Sequence, residues 1–218
     1  SILVMNNTKV IPARLIGHKT TGAKIEVFLL KDLNSYWDVL IKPSKRVKPD
    51  DIIRIGDELS VKIIKKLEDN GEWLVKLIYD EKMNLFDILH KIGNIPLPPY
   101  IERKILNDEL KKLDFERYQT VYAKYKGSAA APTAGLHFTP ELLKQIEDKG
   151  IKIANVTLHV GIGTFRPVKE ENIEDHKMHT EHFYIKEEDA QKINESKQNG
   201  KRVIAVGTTS CRVLAGKV

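Results

Sequence analysis

The chain has 218 residues, of which 41% are hydrophobic and 30% charged, a balance typical of a soluble globular protein of one or two domains. No apolar run approaches the roughly 18–20 residues of a membrane helix, so we expect no membrane association. The 36 basic residues against 30 acidic ones give a formal net charge of +6, which permits a polyanionic partner without establishing one.

Cysteine content indicates the compartment. Cys211 is the only cysteine, so an intramolecular disulfide and a cysteine metal cage are both excluded. No secretory signal precedes the first predicted strand. We therefore expect a cytoplasmic protein.

The segment from residue 10 to residue 80 alternates apolar and polar residues with period two, which predicts strands. Thr21-Gly22 and Asn70-Gly71 are turn pairs, because these residues tolerate positive φ. Six short strands at this spacing favour a small barrel or sandwich. In order they are VIPARLIGHKT, AKIEVFLL, SYWDVLIKP, DIIRI, ELSVKIIKKL and EWLVKLIYD.

Helical spacing begins after the strands. Residues 85–93 are predicted to form a helix, and the proline-rich 96–100 a linker. A second helix is predicted over 107–124. Its imperfect apolar stripe consists of Leu110, Leu113, Tyr118 and Val121.

The last part of the chain alternates helices with strands. A helix is predicted from a Thr139 cap and Pro140 to Gly150, with Leu142, Leu143 and Ile146 as its buried face. A strand follows at 151–160. A further helix at about 187–199 precedes a buried strand at 201–207. This alternation favours a mostly parallel sheet with helices on its faces.

The change of periodicity predicts two domains. We expect a fold that combines α/β with all-β structure: a mostly parallel α/β sheet domain, residues 1–10 and 81–218, and a small inserted β-barrel domain, residues 11–80.

Two predicted strands end in loops suited to a ligand, because ligands of open α/β sheets gather beyond the carboxyl ends of the strands. Glycine allows close backbone approach, and hydroxyls hold a carboxylate, ribose or phosphate. Taken separately, each loop is also compatible with a simple turn. The candidates are Gly161, Gly163, Thr164 and Arg166 in one loop, and Thr208, Thr209 and Ser210 in the other.

A run of small residues at 128–135 precedes His137 and is predicted to leave backbone bare for a bulky ligand, with Thr133, Ala134 and Gly135 as contacts. A tight structural crossing is the alternative. His137 lies just before a helix start, where the positive helix end disfavours an imidazolium. A neutral His137 is a candidate base.

Other histidines offer further chemistry. His159 lies near the end of its strand and is either a buried structural histidine or a catalytic one. The segment 174–183 carries His176, His179, Glu181 and His182, which have the donor atoms for a metal. Their spacing does not put all four on one side, so acid–base or polar substrate contacts are favoured over a metal site.

Seven motifs together resemble one family, the S-adenosylmethionine:tRNA ribosyltransferase-isomerases of queuosine biosynthesis, over nearly the whole chain. They are NNTKVIPARL, KIGNIPLPPYI, RYQTVYAK, AAPTAGLHFT, VTLHVGIGTFRPV, HKMHTEHF and VGTTS. The resemblance implies a barrel domain beside an α/β domain. It also implies transfer and isomerisation of the ribosyl part of S-adenosylmethionine onto 7-aminomethyl-7-deazaguanine in tRNA, giving epoxyqueuosine-tRNA, adenine and methionine.

The implied reaction assigns roles. S-adenosylmethionine is a co-substrate, no metal is expected, and tRNA is the partner. The sulfonium acidifies the adjoining ribose methylene, so a base is needed, for which His137 is the first candidate. Adenine needs an acid, for which His159 or the His179/Glu181 pair is available. Arg166 suits either the methionine carboxylate or a tRNA phosphate.

For the tRNA backbone the predicted contacts are Arg14, Lys45, Arg46 and Lys48. The oligomeric state is not readable from the sequence, and a monomer is favoured.

The chain departs from the family pattern in three places. It opens inside the pattern and stops before the family's C-terminal segment, so we expect a fragment or the ordered part of a longer protein. Tyr125 and Lys126 stand where family members tend to have an acidic residue and a proline. Two other functions remain open: a metal-dependent nucleic-acid hydrolase and a non-catalytic RNA-binding protein.

Overall fold

The structure, a computed structural model, describes residues 1–67, 71–98, 100–101, 103, 107–161, 181 and 183–216. The chain divides into two compact units. The sheet unit consists of Ser1–Val10, Pro98–Glu102 and Lys112–Val218, and the barrel unit of Ile11–Leu97 and Arg103–Lys111. The domain limits expected from the sequence stay a prediction.

The described elements follow one another in this order. The strands are β1 (Ile2–Asn6), β2 (Thr8–Val10), β3 (Arg14–Lys19), β4 (Lys24–Asp32), β5 (Trp37–Lys42), β6 (Ile52–Ile55), β7 (Leu59–Lys66), β8 (Trp73–Ile78), β9 (Tyr125–Ser128), β10 (Lys152–Leu158), β11 (Phe183–Ile185) and β12 (Val203–Ala205). The α-helices are α1 (Leu85–Ile92), α2 (Asp108–Arg117), α3 (Pro140–Asp148), α4 (Glu187–Gln198) and α5 (Gly207–Leu214). Two 3₁₀ helices are Ser44–Arg46 and Thr133–His137.

The barrel unit is a closed six-stranded barrel in the order β3-β4-β5-β8-β7-β6. Period-two alternation produces its interior: on β7, Leu59, Val61 and Ile63 are buried while the residues between them are partly exposed. Trp73 also faces this core, and its Nε1 donates to Ser44 Oγ at 3.0 Å. The predicted strand-rich barrel is therefore confirmed.

Gly17→Ala is expected to destabilise the barrel by about 1–3 kcal/mol, because a new side chain has no room there. A Cβ at Gly17 would lie 2.2 Å from the Arg54 carbonyl oxygen on β6, a backbone atom that cannot move away alone. Urea unfolding measures the loss. Gly161→Ala is the control, since no atom of the described residues lies within 4 Å of its added Cβ. Equal midpoints for the two variants would contradict the prediction.

The sheet unit contains a four-stranded sheet in the order β11-β10-β1-β12. Strand β1 is parallel to both β10 and β12, and β11 is antiparallel to β10. The predicted mostly parallel sheet is confirmed. A separate parallel pair joins β2 to β9, with Thr8 opposite Tyr125.

Helices cover both faces of this sheet. On one face, Val4 and Val156 pack with Ile193 of α4 and Val213 of α5. On the other, Met5 packs in a cluster with Leu143 and Ile146 of α3, among others. Successive residues of β1 thus point to opposite faces, which places the strand between two apolar layers.

Three local predictions are wrong. The second helix ends at Arg117, and Leu113 and Val121 are 42% and 53% exposed, because the segment is mostly charged and offers no continuous apolar face. On α3, Leu142 is exposed, and Leu143 and Ile146 alone make the predicted contact. Among the described strands, β12 lies at the sheet edge, so Ile204 is 39% exposed instead of buried.

Candidate active site

The parallel strands of the sheet unit end at one edge. Because β1, β10 and β12 run in the same direction, the residues that follow them, Thr8, His159 and Gly207, lie at that edge. The loop predicted at Thr208, Thr209 and Ser210 is wrong, because these residues form the first turn of α5. Gly207, at φ +80°, makes the change from strand to helix without an intervening loop.

His159 is held by a direct contact with Thr8. Its Nδ1 lies 2.8 Å from Thr8 Oγ1, a hydroxyl on a fully buried residue. Two tautomers satisfy this contact: Thr8 donates to Nδ1, or Nδ1–H donates to Thr8. In the second, Nε2 carries the lone pair of a base. Burial lowers the pKa of His159 below its ordinary value of 6.5, which favours the neutral ring near pH 7.

Gly127 forms one wall of the His159 environment. It has φ +145°, and a Cβ built there would lie 3.0 Å from His159 Cε1 and 3.1 Å from both ring nitrogens. Both the backbone angle and the close approach exclude larger residues. Bare backbone therefore packs against the imidazole and fixes its position.

Asn6 joins the ends of β1 and β10. Its Nδ2 donates to Leu158 O at 3.0 Å, and its Oδ1 accepts from Leu158 N at 3.0 Å and from Thr8 N at 3.2 Å. Asn6 is fully buried. The side chain thus orders the residues next to both members of the Thr8–His159 contact.

Ser128 supports the segment after His159 in a similar way. Its Oγ accepts from Val160 N at 2.9 Å and donates to Ala130 O at 2.7 Å, and Ala129 N donates to Val160 O at 2.9 Å. The small-residue run is therefore tied to the end of β10. The small-residue run therefore has a structural role in addition to any contact with a ligand.

Glu181 connects the segment after β10 to α5. Gly161 N donates to Glu181 Oε1 at 3.2 Å, and the Glu181 carboxylate forms an ion pair with Arg212 Nη1. Nη1 contacts Glu181 Oε2, whereas Arg212 Nε has no hydrogen-bond partner in the described part of the chain. The pair keeps hydrogen-bonding capacity for a bound molecule.

The 3₁₀ helix Thr133–His137 lies against the start of α5. A Cβ on Gly135 would lie 2.0 Å from the Tyr122 hydroxyl, and a Cβ on Gly207 would lie 3.0 Å from Ala134 Cβ. Only a glycine at position 135 allows the Tyr122 ring to approach this closely. The candidate contacts Ala134 and Gly135 are thus brought beside α5.

Four buried hydroxyls near this 3₁₀ helix and on α5 have no hydrogen-bond partner among the described residues: Thr120 Oγ1, Tyr122 OH, Thr209 Oγ1 and Ser210 Oγ. Burial raises the pKa of Tyr122 to about 12, although the nearby Thr120 hydroxyl opposes the shift without reaching hydrogen-bond geometry. Tyr122 is therefore a neutral donor. Buried polar groups are normally paired, so this concentration of unpaired hydroxyls indicates a place for a polar ligand.

The structure brings only some predicted site residues together. Each of the following contributes to the edge just described: Ala134, Gly135, His159, Gly161, Glu181, Thr209 and Ser210. Thr208 lies in the same turn of α5, whereas Thr133 and His137 are exposed on their 3₁₀ helix. Four predicted residues lie outside the described part of the chain: Gly163, Thr164, Arg166 and His179.

The predicted tRNA contacts belong to the barrel unit. Lys45, Arg46 and Lys48 are exposed on and beside the 3₁₀ helix Ser44–Arg46. Lys19 anchors this loop, because its Nζ donates to Arg46 O at 3.0 Å and to Asp51 Oδ2 at 2.7 Å. Arg14 is instead engaged by Glu26, with Nε and Nη2 donating to Oε2 at 2.9 and 2.7 Å.

Sequence reasoning missed the residues that surround His159 and the unpaired hydroxyls. Thr8 and Asn6 lie in the NNTKV segment, whose polar residues after a buried strand were a usable signal. No spacing rule pairs Thr8 with a residue 151 positions away. The missed residues are Asn6, Thr8, Thr120, Tyr122, Gly127 and Arg212.

Within the described residues, no three His, Cys, Asp or Glu side chains are grouped closely enough to hold a metal ion. The alternative ligands His176, His179 and His182 lie outside those residues, so the absence of a metal stays a prediction. None of the described helices combines the length and apolarity needed to cross a membrane.

The fold and the site define a class: a protein with a closed barrel and a separate mixed sheet, in which a histidine follows a sheet strand and four buried hydroxyls have no hydrogen-bond partner among the described residues. The chain belongs to the family described as queuosine biosynthesis protein, whose profile it matches over residues 1–218. The resemblance of the seven motifs is confirmed.

Relatives named S-adenosylmethionine:tRNA ribosyltransferase-isomerase match most of the chain. The protein of Acetivibrio thermocellus is 57% identical over 216 residues, covering 97% of this chain and 60% of the relative. That of Clostridioides difficile is 54% identical over 215 residues, with 97% and 60% covered. The chain thus spans about three-fifths of the length of these relatives.

A solved structure, the S-adenosylmethionine tRNA ribosyltransferase of Thermotoga maritima, is 27% identical, covering 100% of this chain and 56% of that one. Its TM-score is 0.34, too low to compare site geometry.

Proposed function

We propose that this protein is an S-adenosylmethionine:tRNA ribosyltransferase-isomerase. It transfers and isomerises the ribosyl part of S-adenosylmethionine onto 7-aminomethyl-7-deazaguanine in tRNA, with release of adenine and methionine. The observation that carries the proposal is the 57% identity with a relative of that name over 97% of this chain. The edge with His159 supplies chemistry that this reaction needs.

His159 is the proposed base. The sulfonium of S-adenosylmethionine acidifies the adjoining ribose methylene, and a neutral imidazole removes that proton. The contact with Thr8 and the packing of Gly127 restrict the ring, whereas His137 is exposed. His159 therefore replaces His137 as first candidate for the base, and the His179/Glu181 pair is kept as the candidate for the acid that protonates adenine.

The hydroxyls and the small residues are proposed to bind the nucleoside. Tyr122, Thr209 and Ser210 offer unpaired buried hydroxyls to ribose or methionine groups. Ala134 and Gly135 allow backbone to approach the ligand. The remaining proposed contacts are Thr133, Gly161, Gly163, Thr164, Arg166 and Thr208, and Glu181 orients the chain through Gly161 and Arg212.

The partner and setting are proposed from charge and family. Lys45, Arg46 and Lys48 give the barrel unit an exposed cationic loop for tRNA phosphates, and Arg14 contributes from β3. Such contacts make binding weaken steeply with salt. We propose a cytoplasmic monomer, with an α/β domain at 1–10 and 81–218 and a barrel domain at 11–80.

The experiment that tests this function is release of adenine. The protein is incubated with S-adenosylmethionine labelled in the adenine ring and with tRNA carrying the precursor base, and labelled free adenine is separated from unreacted S-adenosylmethionine. Adenine release that requires precursor tRNA and survives chelation supports the proposal. RNA cleavage that stops on chelation, or RNA binding without any adenine release, favours one of the two alternative functions instead.

The pH dependence of the reaction follows from the lowered pKa of His159. A base acts in its neutral form, so a pKa below 6.5 leaves His159 active to lower pH than a free histidine. We expect the acidic limb of kcat/KM to lie below about pH 6.5 in a series from about pH 5 to 8. As the pH is lowered, His159 is protonated in the unfolded chain at a higher pH than in the folded chain. The free energy of unfolding therefore also decreases below about pH 6.5. An acidic limb of kcat/KM above about pH 6.5 would contradict the assignment of His159 as the base.

A further inference from the structure

We propose that a second cleft of the sheet unit binds one unpaired nucleotide of the RNA substrate. The cleft encloses about 80 Å³, and its residues include Asn7, Lys124, Tyr125, Asn155, Tyr184 and Lys186. It holds none of the residues to which the chemical step is assigned. The inference rests on the proposed function, because it assumes that the protein acts on RNA.

Tyr184 supplies a stacking surface at the mouth of the cleft. It is 61% exposed on β11, the edge strand of the sheet, where an aromatic ring gains nothing from the core. Its strand partner is Thr157, which also lines the cleft. Stacking of a base on an exposed tyrosine is a common mode of binding single-stranded RNA, since every base has a π face.

Two lysines supply positive charge beside a second ring. Lys124 Nζ and Lys186 Nζ lie 5.6 and 5.9 Å from the centre of the Tyr125 ring, and both lysines are exposed. No acidic side chain forms an ion pair with either ammonium in the described part of the chain. They are therefore placed to contact a phosphate next to the stacked base.

The floor of the cleft offers hydrogen bonds for a base edge. Asn7 Oδ1 accepts from Thr157 Oγ1 at 2.7 Å, which leaves the Asn7 amide nitrogen as a donor. The Asn155 carboxamide provides a donor and an acceptor on the same floor. Asp189, which is 8% exposed, adds an acceptor for an amino group.

This combination favours a nucleotide over a simple anion or an acidic peptide. A buried acidic group inside the cleft disfavours an anion there, so the lysines serve a phosphate at the rim while the floor receives an uncharged, planar group. The side chains of an acidic peptide have no aromatic ring that could stack on Tyr184. The enclosed volume takes the edge of one base, and the ring face remains on Tyr184.

The test measures binding of an anticodon stem-loop RNA to the full chain by fluorescence anisotropy. Tyr184→Leu is expected to raise Kd about 10-fold and Tyr184→Phe to leave it nearly unchanged, because the phenyl ring keeps the stacking. Lys186→Gln is expected to raise Kd and reduce its salt dependence by about one counterion. Lys197→Gln is the matched control, because this variant removes the same charge from an exposed lysine in the last turn of α4 that does not line the cleft.

A second readout identifies the nucleotide. 2-Aminopurine is placed in turn at each unpaired position of the stem-loop, and at one position its fluorescence is expected to be quenched by the wild-type protein but not by Tyr184→Leu. Binding of a fully paired RNA duplex is expected to be insensitive to Tyr184→Leu. Unchanged stem-loop affinity in Tyr184→Leu, or equal losses for duplex and stem-loop, would overturn the inference.

The outcome is separable from that of the proposed function. Tyr184→Leu is expected to raise KM for the RNA while kcat for adenine release stays within about twofold, since the cleft binds without touching the reacting atoms. If wild-type protein releases no adenine but its RNA binding depends on Tyr184, the function fails and the cleft stands. If adenine is released and Tyr184→Leu has a normal KM for the RNA, the proposed function stands and only the inference about the cleft is contradicted.

Discussion

His159→Gln is expected to lower the single-turnover rate of adenine release by about 10²–10⁴-fold, the usual contribution of a general base. Glutamine keeps a polar group of similar length that can still face Thr8 Oγ1, but it cannot accept a proton near pH 7. Affinity for S-adenosylmethionine, measured by calorimetry, is expected to change little. The loss then belongs to the chemical step and not to ground-state binding.

Two further variants make this result specific. His18→Gln, on β3 of the barrel unit and exposed, is the control for removing an imidazole, and its rate is expected to match wild type. His137→Gln compares the two candidate bases. A rate in His159→Gln within threefold of wild type, together with a loss of about 100-fold in His137→Gln, would return the role of base to His137.

The barrel was predictable because its signal is local. Along β7, every second residue is apolar, and the strand needs only a closed interior to bury Leu59, Val61 and Ile63. Gly22 and Gly71, with φ +82° and +71°, mark turns that the sequence also shows. The cap of α3 is equally local, since Thr139 Oγ1 accepts from Leu142 N at 3.2 Å.

The wrong predictions concern residues whose structure is determined by contacts with residues distant in sequence. Ile204 is apolar enough for a central strand, but no local rule shows that β12 pairs with only one of the described strands. The start of α5 was mistaken for a loop because Gly, Thr, Thr and Ser are all turn residues. In the folded chain, Gly207 at the start of α5 lies close to Ala134 of the 3₁₀ helix, a proximity that no local rule shows.

The candidate site was predictable in its parts and not in its assembly. His159 and Gly161 could be found as polar or flexible residues after a buried strand. Gly127 could not, because its requirement is a distance to an imidazole 32 positions away. Tyr122 likewise reads as an apolar ring, and its unpaired hydroxyl is a property of the folded chain.

Asn6→Ala is expected to cost about 4 kcal/mol of unfolding free energy, because removal of one buried carboxamide leaves several backbone groups without partners, at about 1–3 kcal/mol each. Those groups are Leu158 N, Leu158 O and Thr8 N. The loss is measured as a shift in urea midpoint at constant m-value. Loosening of the Thr8 and Leu158 backbones also displaces His159, so adenine release is expected to fall in the fraction that remains folded.

Asn155→Ala is the matched control for this prediction. It removes the same atoms from a half-buried asparagine of the neighbouring strand β10 whose side chain does not connect the ends of two strands. The loss of unfolding free energy is expected to stay within about 0.5 kcal/mol. The difference between the two alanine variants isolates the hydrogen bonds of Asn6 from the general effect of shortening an asparagine. If both variants unfold at the same urea concentration, Asn6 does not fasten β1 to β10, and the support inferred for the Thr8–His159 contact must come from Gly127 and Ser128 alone.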